Sequence, residues 1–187
     1  MSAHSRASVE RDERLRLFCA LRLPEEALDV LVAWQREAIP DRSGLRPVPR
    51  GNLHLTLAFL GHRPADELGA IAGELRAAAA AAAPIRLHVE RYRETRSVGM
   101  LVFADENGAA TALATDLHGR LEQIGVYERE SRPWLPHLTV VRFRSRPRLR
   151  PEPPALAPVV PSDAAAYLSR LRPGGAQYEV LESAHLG

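Results

Sequence analysis

With 187 residues, 45% of them hydrophobic, and a formal net charge of +2, the chain is long enough to bury a core of its own, as one domain or two intimately packed lobes. One cysteine, Cys19, excludes an intramolecular disulfide framework, and the near-balanced charge excludes the strongly basic footprint of a general nucleic-acid binder. The N-terminus is polar and no apolar run reaches the roughly 18 residues of a membrane span, so a soluble, cytoplasmic protein is expected.

The first element is LRLFCALRL, residues 15–23, a half-buried strand with Cys19 as a small buried hydrophobe. Pro24 ends it, and PEEALDVLVAWQREAI follows as a helix. Pro24 and two glutamates occupy its first turn, and Leu28, Leu31, Val32 and Trp34 keep helical spacing. After a PDRSG loop and a short extended LRPV comes the strand NLHLTLAFLG, residues 52–61. ADELGAIAGELRAAAAAAA predicts a second helix with Leu68, Ile71, Ala72 and Leu75 on one face, its alanine tract being a strong helix former.

IRLHVERYRE and VGMLVFAD read as strands, and ENGAATALATDLHGRLEQIG as a third helix ending at Gly125. The second half of the chain thus resembles the first in its order of elements. PWLPHLTVVRF is the next strand, and the proline-rich RPRLRPEPPALAPVVP is a loop connection. AAAYLSRLRP and AQYEVLESAHL, separated by Pro-Gly-Gly, form a closing hairpin. Strands outnumber helices and follow one another in runs, which predicts an α+β fold of antiparallel sheet with helices on one side.

Side chains alternate along a strand, so Asn52, His54, Thr56 and Ala58 share one face, and Leu53, Leu55, Leu57 and Phe59 the other. In PHLTVVRF the same arithmetic puts His137 and Thr139 together with Leu138 and Val140 behind them. The two His-x-Thr copies lie 83 residues apart (137 − 54) in comparable runs of elements, as an internal duplication produces. A single such histidine is more often structural; two, each with a hydroxyl and an apolar backing, suit metal-free phosphodiester cleavage. One imidazole takes a proton from the nucleophile, the other gives one to the leaving oxygen, and the threonines donate to phosphate oxygens.

HLTLAFLG and PHLTVVRF resemble the two HxTx signatures of the 2H phosphoesterases, and within them the RNA 2′,3′-cyclic phosphodiesterase family, also known as 2′-5′ RNA ligase. LRLFCALRLPEE is similar to the family's opening strand and helix start. AAAYLSRLRPGGAQYEVL is similar to its closing hairpin, with Ser-x-Leu followed by Gly-Gly-x-x-Tyr. The resemblance covers nearly the whole chain and implies one bilobal α+β domain over residues 1–187, with two pseudo-symmetric lobes each carrying one motif strand. Two antiparallel sheets would face a central cleft with helices packed outside.

It further implies hydrolysis of terminal RNA 2′,3′-cyclic phosphates to 2′-phosphomonoesters, without ATP, cofactor or required metal, by a protein expected to be monomeric. His54 would be the proton donor, His137 the proton acceptor, and Thr56 and Thr139 the phosphate ligands; spacing alone does not distinguish acid from base. The reverse reaction would join a cyclic end to a 5′-hydroxyl. Other cyclic phosphates, 2′-5′ oligonucleotides, or non-catalytic recognition of RNA ends are the alternatives.

The second motif departs from the family's HxTLAR in Val140 and Val141 and retains Arg142. Strict alternation sends Arg142 to the face opposite His137 unless a bulge intervenes. Arg142, Arg132 and Trp134 are candidate substrate contacts, the last by stacking on a base. All 25 basic residues are arginines, and RFRSRPRLR, Arg142 to Arg150, is either a compositional bias or a phosphate-facing surface. His62 reads as a solvated loop residue, His88 as surface or groove, His118 as helical, and His4 and His185 as terminal. None has the spacing of a zinc site.

Overall fold

The computed structural model describes residues 14–187, so His4 lies outside the described residues. Among the described residues eight strands are formed: β1 (Arg14–Leu21), β2 (Leu45–Pro47), β3 (Leu55–Pro64), β4 (Leu87–Glu94), β5 (Val98–Asp105), β6 (His137–Phe143), β7 (Asp163–Arg172) and β8 (Gly175–His185). Three α-helices accompany them: α1 (Glu25–Ala38), α2 (Leu68–Ala80) and α3 (Ala109–Gln123). Each helix lies within its expected segment. The start of α3 is held by Asp105, whose carboxylate accepts from the Thr111 N–H and hydroxyl, both at 2.8 Å. The proline-rich stretch forms neither helix nor ladder strand and pairs with the sheet backbone through one bridge, Val159 to Leu87, as missing N–H donors dictate.

The strands join in the order β4-β5-β6-β3-β1-β7-β8, with β2 beside β6. All pairings are antiparallel. The two sheets expected from the sequence are the two wings of one continuous, curled sheet. They meet at a single pair, Leu55 opposite Leu138, which are the middle residues of the two His-x-Thr motifs and are both fully buried. Antiparallel register, extended one residue either way, sets His54 beside Thr139 and Thr56 beside His137.

Helices cover one face of this sheet. Leu31 of α1, Ile71 and Leu75 of α2 and Leu117 and Leu121 of α3 share one core cluster with Leu17, Leu55, Leu57, Leu138 and Val140. Cys19 is fully buried on β1, and burial pushes its thiol up to about 12, so it behaves as the expected hydrophobe. The opposite face carries a smaller cluster of Phe18, Ala20, Ala165 and Tyr167, with Tyr178 packed against it. Alternation along β1 and β7 divides neighbours between the two: Ala164, Ala166 and Leu168 face the helices, Ala165 and Tyr167 the other side. No helix among the described residues is long and apolar enough to cross a membrane.

The register slips right after the threonine of each motif strand, and β3 slips once more at Leu60. In the pairing of β1 with β3, Ala20 lies opposite Thr56 and Cys19 opposite Ala58, so Leu57 is an extra residue. In the pairing of β5 with β6, Met100 lies opposite Thr139 and Gly99 opposite Val141, so Val140 is extra. Both are β-bulges three residues after the motif histidine, and each buries two consecutive side chains, Leu57 with Ala58 and Val140 with Val141. Beyond the bulge the faces exchange. The expectation that Ala58 shares the His54 face and Phe59 the back is therefore corrected: Ala58 is buried and Phe59 is 49% exposed.

Candidate active site

A cleft of about 410 Å³ lies on the sheet face away from the helices, at the junction of the wings. His54, Thr56 and Phe59 from one motif strand line it together with His137, Thr139 and Arg142 from the other. The bulges explain the third member of each set. One extra residue after each threonine turns the fifth position beyond the histidine back into the cleft, Phe59 in one wing and Arg142 in the other. Arg46, opposite Arg142 in the β2 pairing, adds a second guanidinium. The tip of the β7–β8 hairpin closes one side with Leu171, Gly175 and Tyr178.

Both imidazoles are held alike. His54 Nδ1 lies 2.8 Å from the Asn52 carbonyl, and His137 Nδ1 lies 2.8 Å from the Leu135 carbonyl. A carbonyl oxygen only accepts, so Nδ1 carries the proton in both, leaving Nε2 as the reactive nitrogen. His54 Nε2 lies 3.1 Å from Thr56 Oγ1, which in the neutral tautomer donates to it.

The surroundings break this symmetry. Phe18, Tyr178 and Tyr167 surround His54, with ring centroids at 4.8, 5.3 and 6.0 Å. Burial among these rings is the main cause that lowers the His54 pKa to about 4, with the positive charges of Arg142 and His137 acting the same way and the Asn52 hydrogen bond opposing. At pH 7 His54 is therefore a neutral imidazole, a state suited to accepting a proton.

The remaining sequence candidates fall elsewhere. Arg132 is 85% exposed at its side chain beside Glu130 at 3.7 Å, and does not line the cleft. Its position in the approach to β6 suggested a contact, but the loop before Trp134 turns it to solvent. Trp134 packs against the main core and donates its Nε1 proton to the Thr56 carbonyl at 2.9 Å, so it is a wall behind the site. The indole that looked available for stacking is spent on the bulged backbone. His62 is exposed but lies within β3 rather than a loop. His88 pairs with Glu106 at 2.7 Å outside the cleft lining, and His185 is exposed at the end of β8.

Sequence reasoning missed what shapes the bulges. Buried His118 of α3 donates from Nε2 to the Leu57 carbonyl at 2.7 Å. Buried Gln35 of α1 donates to the Val140 carbonyl at 2.7 Å and the Val48 carbonyl at 3.1 Å. Each helix thereby satisfies the bulge residue of the other half's motif strand, and Gln35 and His118 are again 83 residues apart (118 − 35). A signal was present: the apolar doublets Leu57-Ala58 and Val140-Val141 break alternation right after each threonine. Among the described residues, no group of three or more His, Cys, Asp or Glu side chains is placed to hold a metal ion.

The family model described as the 2′-5′ RNA ligase superfamily matches residues 24–172, from the start of α1 to the end of β7. The chain belongs to the 2′-5′ RNA ligase superfamily. Among curated members, the RNA 2′,3′-cyclic phosphodiesterase of Thermus thermophilus is 34% identical over 177 residues, covering 90% of this chain and 88% of the relative. The enzyme of the same name from Escherichia coli is 29% identical over 176 residues, covering 91% and 96%. Solved structures of the superfamily agree in fold. A Thermus thermophilus protein has a TM-score of 0.79 at 33% identity, over 92% of this chain and 98% of its own. The E. coli LigT complex with 3′-AMP has a TM-score of 0.77 at 28% identity, over 93% and 99%.

Proposed function

We propose that this superfamily member is an RNA 2′,3′-cyclic phosphodiesterase that opens a terminal cyclic phosphate to a 2′-phosphomonoester. The observation that carries this reading is the pair of histidines, each fixed through Nδ1 to a backbone carbonyl, lining one cleft with two threonine hydroxyls and an arginine. Curated relatives named RNA 2′,3′-cyclic phosphodiesterase, and the LigT complex with 3′-AMP, support the substrate class.

In this reading His137 Nε2 takes a proton from water as its oxygen attacks phosphorus. The bond from phosphorus to the 3′-oxygen breaks, and His54 gives its Nε2 proton to that oxygen. Thr56, Thr139 and Arg142 hold the phosphate oxygens as charge develops. To serve as donor, His54 must be an imidazolium, with Nδ1 still bonded to Asn52. A bound phosphodiester, with one negative charge, offsets part of the positive charge that Arg142 and Arg46 place in the cleft and so raises the His54 pKa. The depressed His54 pKa is the one observation that favours exchanged roles, His54 as acceptor and His137 as donor. With a 5′-hydroxyl in place of water as the nucleophile, either assignment joins it to the phosphate as the bond to the 3′-oxygen breaks, giving a 2′-5′ linkage.

Phe59 supplies an exposed ring beside the phosphate-binding groups, suited to a nucleobase face. The Arg16 guanidinium, which also lines the cleft, lies 4.6 Å from its centroid and donates to buried Ser169 at 2.6 Å, which steadies the ring. We also read the chain as one domain of two pseudo-symmetric lobes. The offset of 83 residues recurring at the histidines, the bulges and the helix side chains supports that reading.

The test is turnover of an RNA ending in a 2′,3′-cyclic phosphate in excess chelator. Wild type forms the 2′-phosphate, and His54→Ala or His137→Ala each lowers kcat by about 10²–10⁴-fold. A 3′-phosphate product, or activity independent of both histidines, would contradict it.

A further inference from the structure

The arginine run that follows the second motif leads out of the cleft. From Arg142, which lines the cleft, β6 ends at Phe143 and the chain continues past the turn between β4 and β5, where the Phe143 N–H bonds the Ser97 carbonyl at 2.9 Å. Arg142, Arg144, Arg146, Arg148 and Arg150 are all exposed, alternating after Arg142 with buried, partly buried or small residues. A second groove, about 570 Å³ and open to solvent, is lined by Arg93, Arg146, Arg148 and Arg150 with Tyr92 and Glu94. Arg146 stands four residues beyond Arg142, at most about 14 Å of extended chain.

A compositional excess of arginine does not by itself build a site, but this segment is held in place by a buried carboxylate. The Glu94 side chain is 2% exposed. One of its oxygens accepts from the backbone N–H of Leu149 at 2.7 Å, the other from the N–H of Arg148 at 3.0 Å and from Arg146 Nε at 3.1 Å. Tyr92 adds its hydroxyl at 3.3 Å and lies across Gly99, where any Cβ would come within 2.1 Å of its oxygen. Arg148 sits at φ 59, a left-handed conformation that a non-glycine residue adopts only where its surroundings impose it.

Glu94, the one acid among the described residues that line the groove, is therefore spent on fixing the loop. Arg93, Arg148 and Arg150 form no ion pair among the described residues. Three unpaired guanidiniums on a rigid frame, one short span from a cleft that takes a terminal phosphate, match a polymer with a negative charge on every unit.

We propose that this groove binds the phosphates of single-stranded RNA on the 5′ side of the reacting end, making oligonucleotides better substrates than cyclic mononucleotides. The proposal rests on the cyclic phosphodiesterase reading and names its substrate class: an RNA strand rather than a free nucleotide. Arg146 is left out of the test because Glu94 needs it.

The experiment compares wild type with the triple variant Arg93→Gln, Arg148→Asn, Arg150→Gln, asparagine being chosen for its tolerance of the left-handed backbone. Substrates are 2′,3′-cyclic AMP and a single-stranded RNA of about 12 nucleotides with a cyclic end. In the wild type KM is lower for the oligonucleotide. In the variant that KM rises by about tenfold, and the slope of log KM against log salt falls by about 2, three contacts at about 0.7 each. Turnover of the cyclic mononucleotide and the thermal midpoint stay unchanged.

An unchanged oligonucleotide KM and salt slope would overturn the proposal. So would loss in the variant of binding to phosphatidylserine vesicles without any effect on RNA, which would make the groove a membrane contact. If neither substrate turns over, the cyclic phosphodiesterase reading fails by itself. Fluorescence anisotropy with the same RNA then decides the groove, equal affinity of variant and wild type overturning it.

Discussion

His118 donates its Nε2 proton to the carbonyl of Leu57 at 2.7 Å, so a helix of one half holds the bulge that shapes the motif strand of the other. Gln35 does the same for Val140. A bulge disrupts the ladder around a buried residue; the Val140 carbonyl also accepts from the Val48 N–H at 2.9 Å, so Gln35 is its second donor. His118→Leu should cost about 1–3 kcal/mol of stability in urea unfolding by stranding the Leu57 oxygen, and Gln35→Leu less, because the Val140 carbonyl keeps the Val48 N–H. The two should differ in kinetics. His118→Leu disturbs the approach to Phe59 and raises KM for base-containing substrates, while Gln35→Leu disturbs Arg142 and lowers kcat/KM toward any cyclic phosphate. Equal effects on both substrate types would show that the bulges are not what orients these side chains.

The roles of the two histidines are separable by the leaving group. A substrate with sulfur in place of the bridging 3′-oxygen departs as a thiolate and needs no proton. The variant lacking the proton donor should therefore recover most of its lost rate on the sulfur substrate, and the variant lacking the acceptor should not. With His54 as donor, His54→Ala is the one rescued. Rescue of His137→Ala instead would assign the roles in exchange, as the low pKa of free His54 favours.

That low value also makes stability depend on pH. His54 titrates near 4 folded and near 6.5 unfolded. As pH falls through 6.5 the unfolded chain takes the proton first, so stability present above that pH is lost progressively down to about 4. The full effect is about 3 kcal/mol. Unfolding of wild type between pH 7 and pH 4 should show this loss, and His54→Gln should show a shallower one. Adding inorganic phosphate should raise the His54 pKa in an NMR titration of its ring protons, since an anion opposes the charges of Arg142 and His137. An unmoved titration would argue against phosphate binding beside His54.

Much of this site was legible in the sequence. His54, Thr56, His137 and Thr139 follow from two copies of one pattern in an alternating strand, because period-2 geometry alone puts them on a common face. The aromatic rings around His54 were not legible, since Phe18, Tyr167 and Tyr178 come from β1, β7 and β8 and meet only through sheet order. Arg132 and Trp134 were misread for a related reason. Proximity in sequence to a motif does not say which way an irregular approach segment turns, and a Trp whose Nε1 finds a backbone carbonyl is held as a wall. The two-sheet expectation became one sheet because Leu55 and Leu138 share a hydrogen-bonded register that no local pattern encodes.

Arg142 was the residue on which strict alternation failed, and its variants test the bulge and the charge separately. It lines the cleft only because Val140 is extra in β6, and its charge is one cause of the lowered His54 pKa. Arg142→Ala should therefore do two things at once: remove a phosphate ligand, lowering kcat/KM by about 10²-fold, and raise the pKa of His54. Arg142→Lys keeps the charge but not the planar fork. It should leave the His54 titration near that of wild type while recovering only part of the activity, because one ammonium cannot replace two parallel donors. If Arg142→Ala leaves both the His54 titration and kcat/KM unchanged, then the side chain does not face the phosphate in solution.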